Sequence, residues 1–175
     1  MIRFAAYNDK TQRLASVLPE WPAGAANRMV ANIFDLKAAL TRHSPGIRFG
    51  AAKDSSYVVV PSSLIGTAVA FTLRELAAQG ISYGSESWDC EDFVNELDTN
   101  LRKMARRAGI TASPLTCCLS VQQQIAWANV DAGGWHAVSA VMTEVGVIVV
   151  ESQNGISVPL DAYPNRSIMQ VADNL

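Results

Sequence analysis

Along the chain, apolar positions recur first with a helical and then with a strand period. In residues 26–43 (ANRMVANIFDLKAALTRH), Met29, Ile33, Leu36 and Leu40 fall on one face at 3.6-residue spacing, so residues 12–42 read as one or two helices. SPGIRFG at 44–50 breaks the pattern. SYVVV at 56–60 reads as an extended segment ending at Pro61. Residues 62–80 read as a helix, with Ser62 or Ser63 as its cap and Gly80 as its stop. The clearest helix opens at Asp89 and runs to Gly109. Asp89 is the predicted N-cap, with Asp92 three residues on as a variant capping box. Phe93, Val94, Leu97, Leu101, Met104, Ala105 and Ala108 form its apolar stripe, and Glu91, Asn95 and Asp98 face away.

The period changes in the last third. Segments 115–130, 136–145, 145–153 and 156–160 read as consecutive strands with turns at DAGGW, TEVG and QNG. HAVSAVM alternates cleanly, with Ala137, Ser139 and Val141 on one face. Helices followed by an antiparallel meander imply an α+β fold, and no linker divides it, so residues 1–175 are expected to form a single domain. Residues 1–50 read as a helical N-terminal extension of unassigned role.

Composition narrows the picture. The 175 residues are 49% hydrophobic and 17% charged with a formal net charge of −2, so bulk charge gives no support for nucleic-acid binding. The basic run RKMARR (102–107) reads as cations complementing a helix C-terminus. No apolar stretch approaches the ~20 residues of a membrane span, because Pro61, Ser62 and Ser63 interrupt the longest. No signal-peptide h-region is apparent at the N-terminus. The three cysteines, two of them adjacent, argue against a disulfide framework, and a reducing, cytoplasmic setting is the expectation.

Cys90 then stands out. It sits in SESWDCEDFVNEL, at a helix start and among carboxylates, where a structural thiol gains little. One reading makes it a small hydrophobe at the end of the buried stripe. The other makes it a nucleophile, because a helix N-terminus and a nearby imidazolium both favour thiolate. Two histidines are available. His43, at a helix end, is expected to cap carbonyls. His136 opens a strand. Counting outward from residue 145 pairs 136 with 154, so Glu151, Gln153 and Asn154 are the candidates to orient the ring. Cys117 and Cys118 read as structural, and a zinc site with a histidine is disfavoured because the two-residue gap of zinc motifs is missing.

The segments WDCEDF, WHAVSAV and VIVVESQNG, in that order, resemble papain-like cysteine peptidases. They are most similar to the papain-like domain at the C-terminus of the agglutinin from Marasmius oreades, and to related phage and bacterial transglutaminase-like cysteine peptidases. The resemblance covers roughly residues 57–160. It implies a papain-like fold with Cys90 as nucleophile, His136 as base and Glu151 as the orienting acid. It further implies calcium bound by Asp89, Glu91 and Asp92. A protein or peptide substrate would lie against Trp88, Trp135 and Gln153. A glutamine before the cysteine, which papain uses as an oxyanion donor, is missing; Ser85, Ser87 or backbone N–H groups would take its place. The expected activity is cleavage of a peptide or related amide bond. The rival expectation is a weak or inactive papain-like fold, of phage type, acting as a protein-binding module or inhibitor. Unneutralised acids beside Cys90 favour that rival, because they disfavour thiolate.

Overall fold

The computed structural model describes residues 17–23, 30–50, 56–81, 89–166 and 168–171. In chain order the elements are β1 (Val30–Ala31), α1 (Ile33–His43), β2 (Arg48–Phe49), β3 (Tyr57–Val58), α2 (Ser62–Ala78), α3 (Cys90–Arg107), β4 (Ser113–Pro114), β5 (Thr116–Gln122), β6 (Trp135–Thr143), β7 (Gly146–Val150), β8 (Ser157–Pro159) and β9 (Ile168–Val171). A six-stranded sheet has the order β2-β9-β5-β6-β7-β8, and β1-β3-β4 form a small second sheet. The arrangement is α+β, and the expected antiparallel meander forms β5 to β8, four of the six strands, with β5 ending at Gln122 rather than running on to residue 130.

Strand alternation divides the core. Leu119, Val121, Val138, Ala140 and Val149 point to one face, where they meet Leu36 and Leu40 of α1 and the ring of Tyr163. Val141 and Val150 point to the other, against Ile65, Ala68 and Val69 of α2 and Leu97, Leu101 and Met104 of α3. Each fully buried Leu or Met contributes on the order of 1.5–3 kcal/mol by leaving water. The strongly amphipathic α3 is thereby pressed along its length onto the sheet.

Several expectations need correction. The first helix begins at Ile33 behind an Asn32 cap, and residues 30–31 are strand. Met29 lies outside the described residues. Neither serine side chain caps α2. Pro61 occupies the N-cap, and the Glu144 carboxylate takes the Ser62 N–H at 2.9 Å and the Ser62 hydroxyl at 2.5 Å. Asp98 does not face away: it accepts hydrogen bonds from Arg102 Nε at 2.7 Å and from the Thr116 hydroxyl. Ala108 is exposed as the C-cap of α3. His43 caps no helical carbonyl; it is buried, and its Nε2 lies 3.2 Å from the Asn165 carbonyl. The strands at 48–49 and 168–171, which pair in parallel, were not anticipated. Among the described residues no helix is long and apolar enough to cross a membrane.

Candidate active site

The first turn of α3 is built as its sequence dictates. Asp89 is the N-cap, and its Oδ1 accepts from the N–H groups of Glu91 (3.0 Å) and Asp92 (3.3 Å). Asp92 Oδ2 reaches back to the Asp89 N–H at 3.0 Å, which completes a capping box. Asp89 serves Glu91 and Asp92 and leaves the N–H of Cys90, the first residue of the helix. Two of the three acids expected to bind calcium therefore hold helix N–H groups. Among the described residues no three His, Cys, Asp or Glu side chains gather as metal ligands.

Cys90 is half-buried and packs against Val94, Cys118 and Ala137. The reason it reaches the sheet is a gap. β7 leaves β6 after the Ser139–Val150 pair, so the edge of β6 at residues 136–138 has no β7 partner. Into that opening comes the thiol, and the Ala137 N–H donates to Cys90 Sγ at 3.2 Å.

His136 approaches from the other face, opposite Val121 of β5. Its Nε2 lies 2.5 Å from Glu151 Oε2, and both side chains are buried, at 3% and 0% exposure. The Cys90 side chain lies near enough to act on the His136 ring. With Nε2 on Glu151, Nδ1 is the ring nitrogen that Glu151 leaves. Burial pulls the imidazole pKa down, but the hydrogen bonds to Cys90 and Glu151 and the charges of both groups outweigh it and raise it to about 9. That shift favours the imidazolium at neutral pH. Glu151 is fixed in turn: its Oε1 accepts the Gln153 N–H at 3.2 Å, and its carbonyl accepts from Gly155 at 2.7 Å.

Of the residues picked from sequence, Cys90, His136 and Glu151 come together. Trp135 is 64% exposed directly before His136. Gln153 contributes its backbone N–H to Glu151, and its buried side-chain Nε2 has no hydrogen-bond partner. Trp88, Ser85 and Ser87 lie outside the described residues. Cys117 and Cys118 are buried and unbridged. Burial, followed by the charges of Glu91, Cys90 and Asp89, pushes the Cys118 thiol up to about 12, so it stays protonated beside Cys90. The Ala137 N–H went unforeseen, because a backbone donor has no sequence signature.

No family model and no curated protein matches the sequence. Solved structures do match. One is a Polyporus squamosus lectin bound to the human-type influenza-binding epitope Neu5Acα2-6Galβ1-4GlcNAc, with a TM-score of 0.59 and 17% identity, covering 81% of this chain and 49% of that one. Another is a PSL1a–E64 complex, with a TM-score of 0.57 and 17% identity, covering 81% and 50%. At that identity the likeness is one of fold. This chain spans about half the length of the structures it matches.

Proposed function

We propose that the chain is a papain-like cysteine hydrolase that cleaves a peptide or related amide bond. The observation that carries this reading is the buried Glu151–His136 pair set beside the half-buried Cys90 thiol at a helix N-terminus. A thiol, a base and a group that orients the base are the three parts that nucleophilic acyl transfer needs. Cys90 sulfur attacks the carbonyl carbon, and the thioester forms as the amine leaves. His136, as imidazolium, protonates the leaving amine at nitrogen. The neutral ring then takes a proton from water, which attacks the thioester and releases the acid. Glu151 holds the ring in the tautomer that keeps Nδ1 toward sulfur. Developing charge on the carbonyl oxygen can be met by the Cys90 N–H, which Asp89 leaves uncapped, within the positive end of α3. Trp135 offers an aromatic surface to the substrate beside His136.

The matched PSL1a is in complex with E64, an epoxide that alkylates nucleophilic thiols, and this agrees with the reading. The test uses the same compound. E64 added to the native protein is expected to label Cys90 and spare Cys117 and Cys118, and His136→Ala is expected to slow that labelling by roughly 100-fold or more. Equal labelling of the three cysteines, or a rate unchanged in His136→Ala, sinks the hydrolase reading. The sialylated trisaccharide named for the matched lectin supports a second reading, carbohydrate binding. Retention on an array bearing that glycan, with no E64 labelling, would select it.

A further inference from the structure

Beyond the Ser139–Val150 pair, no ladder hydrogen bond between β6 and β7 fixes the separation of His136 and Glu151. His136 sits at the start of β6, paired with Val121 of β5 just after a loop, and Glu151 reaches it from the turn that follows β7. The loop before His136 is closed at its base by Gln123. Its N–H donates to the Gly134 carbonyl at 2.9 Å, its carbonyl accepts from Gly133 at 2.7 Å, and its buried side chain donates to the Val130 carbonyl at 3.0 Å. Glu151 opens a tight turn in which its N–H donates to the Ile156 carbonyl at 2.8 Å.

Asn154 bonds to both loops. Its Oδ1 accepts the Ile156 N–H at 3.0 Å, inside the Glu151 turn. Its Nδ2 donates to the Ala128 carbonyl at 2.6 Å, in the loop before His136. Ala128 and the next residue, Asn129, both have left-handed φ values, of 52° and 63°. Trp127 and Val130 exchange both backbone hydrogen bonds across them, so Ala128 and Asn129 form the two-residue hairpin turn that demands positive φ at both central residues, and Asn154 holds the carbonyl of the first. The geometry points to Asn154 as a positioning residue that sets the Glu151–His136 contact by tying the Glu151 turn to the loop preceding His136. The inference rests on the hydrolase reading, in which that contact holds the base in place.

Asn154 is exposed, and its two side-chain hydrogen bonds each add only modestly to stability, so Asn154→Ala is expected to fold. Asn154→Ser keeps a short acceptor for Ile156 but cannot reach Ala128, and it serves if the alanine variant unfolds. Two readouts apply. With only two histidines, the His136 ring can be titrated by NMR. In the native protein its midpoint is expected near about 9. Both variants are expected to lower it toward the 6.5 of a free imidazole, and to slow E64 labelling of Cys90 roughly tenfold, as sub-ångström misplacement of a base does. A variant that lost only stability would keep the native midpoint. A native midpoint near 6.5 overturns the hydrolase reading and the inference with it. A native midpoint near 9 that neither variant moves overturns the role of Asn154 alone.

Discussion

The His136–Glu151 pair makes stability depend on pH in a direction opposite to that of a solvent-exposed acid, and Glu151→Gln isolates the effect. The native imidazole is raised from 6.5 to about 9. At ~1.4 kcal/mol per tenfold change, that is roughly 3 kcal/mol of preference for the charged ring, net of the burial that opposes it. A group raised on folding contributes stability that is fully present below its unfolded value and lost as pH rises through its folded value. The contribution should therefore be complete at pH 6 and vanish progressively between pH 6.5 and 10. Glutamine keeps an acceptor for Nε2 but removes the charge, so His136 is left with burial opposing its proton and only Cys90 supporting it. Breaking a buried pair costs ~3–5 kcal/mol when the partner must stay charged. The ring can instead release its proton, which limits the loss to about 2–3 kcal/mol at pH 6. The assay is urea denaturation of the native and Glu151→Gln proteins at pH 6, 8 and 10. The difference is expected to be largest at pH 6 and to shrink by more than half at pH 10. A difference independent of pH would show that His136 is not held charged by Glu151.

Three other outcomes follow from single contacts. Glu144 stands in for the missing side-chain cap of α2, and its hydrogen bonds from Ser62 outweigh partial burial to hold its carboxyl below the usual range. Glu144→Gln should cost ~0.5–2 kcal/mol at pH 7, and the loss should fade as pH falls through the depressed native value, read by thermal melting from pH 7 to 3. Gly155 has φ +81°, and an added Cβ would meet Val69 Cγ1 at 3.2 Å, so Gly155→Ala should destabilise by about 1–2 kcal/mol and slow Cys90 labelling through the Glu151 turn. Trp135 is exposed, so Trp135→Ala should leave the urea midpoint nearly unchanged; loss of an aromatic contact worth ~0.5–1.5 kcal/mol should slow E64 labelling roughly 2- to 10-fold.

What could be read from the chain was what local physics decides. The α3 cap, its stripe and its Gly109 stop all lie within one run of residues, and the capping box formed as written. The meander was legible because alternation and turn residues repeat every ten residues or so. Long-range partners were not legible. The carboxylate that caps α2 comes from 82 residues away. The strands β2 and β9, two and four residues long, are too short for a period to show, and their partners are remote: β2 pairs with β9, and β9 with β5. His43 looked like a helix-end cation, but the core closed over it and gave it the Asn165 carbonyl instead.

The register of one hairpin decides which side chain reaches His136. Counting from residue 145 sets 136 opposite 154, and strand alternation would then place position 151, three residues away, on the opposite face. The observed two-residue turn pairs Thr143 with Gly146 and Ser139 with Val150. Continued by the same count, Val138 would face Glu151 and His136 would face Gln153, which puts Glu151 two residues along on the face of the histidine. Diagonal neighbours on one face lie about 7–8 Å apart at Cα, within reach of a long side chain. β7 ends at Val150, so Glu151 is free to turn its carboxylate along that diagonal, and the edge of β6 that β7 vacates is where the Cys90 sulfur enters. One extra residue in the 144–145 turn would move Glu151 to the other face. An inserted glycine after Val145 is therefore expected to bring the His136 midpoint down from about 9 while the helical circular dichroism of α2 and α3 persists, and an unmoved midpoint would refute this account of how the acid meets the base.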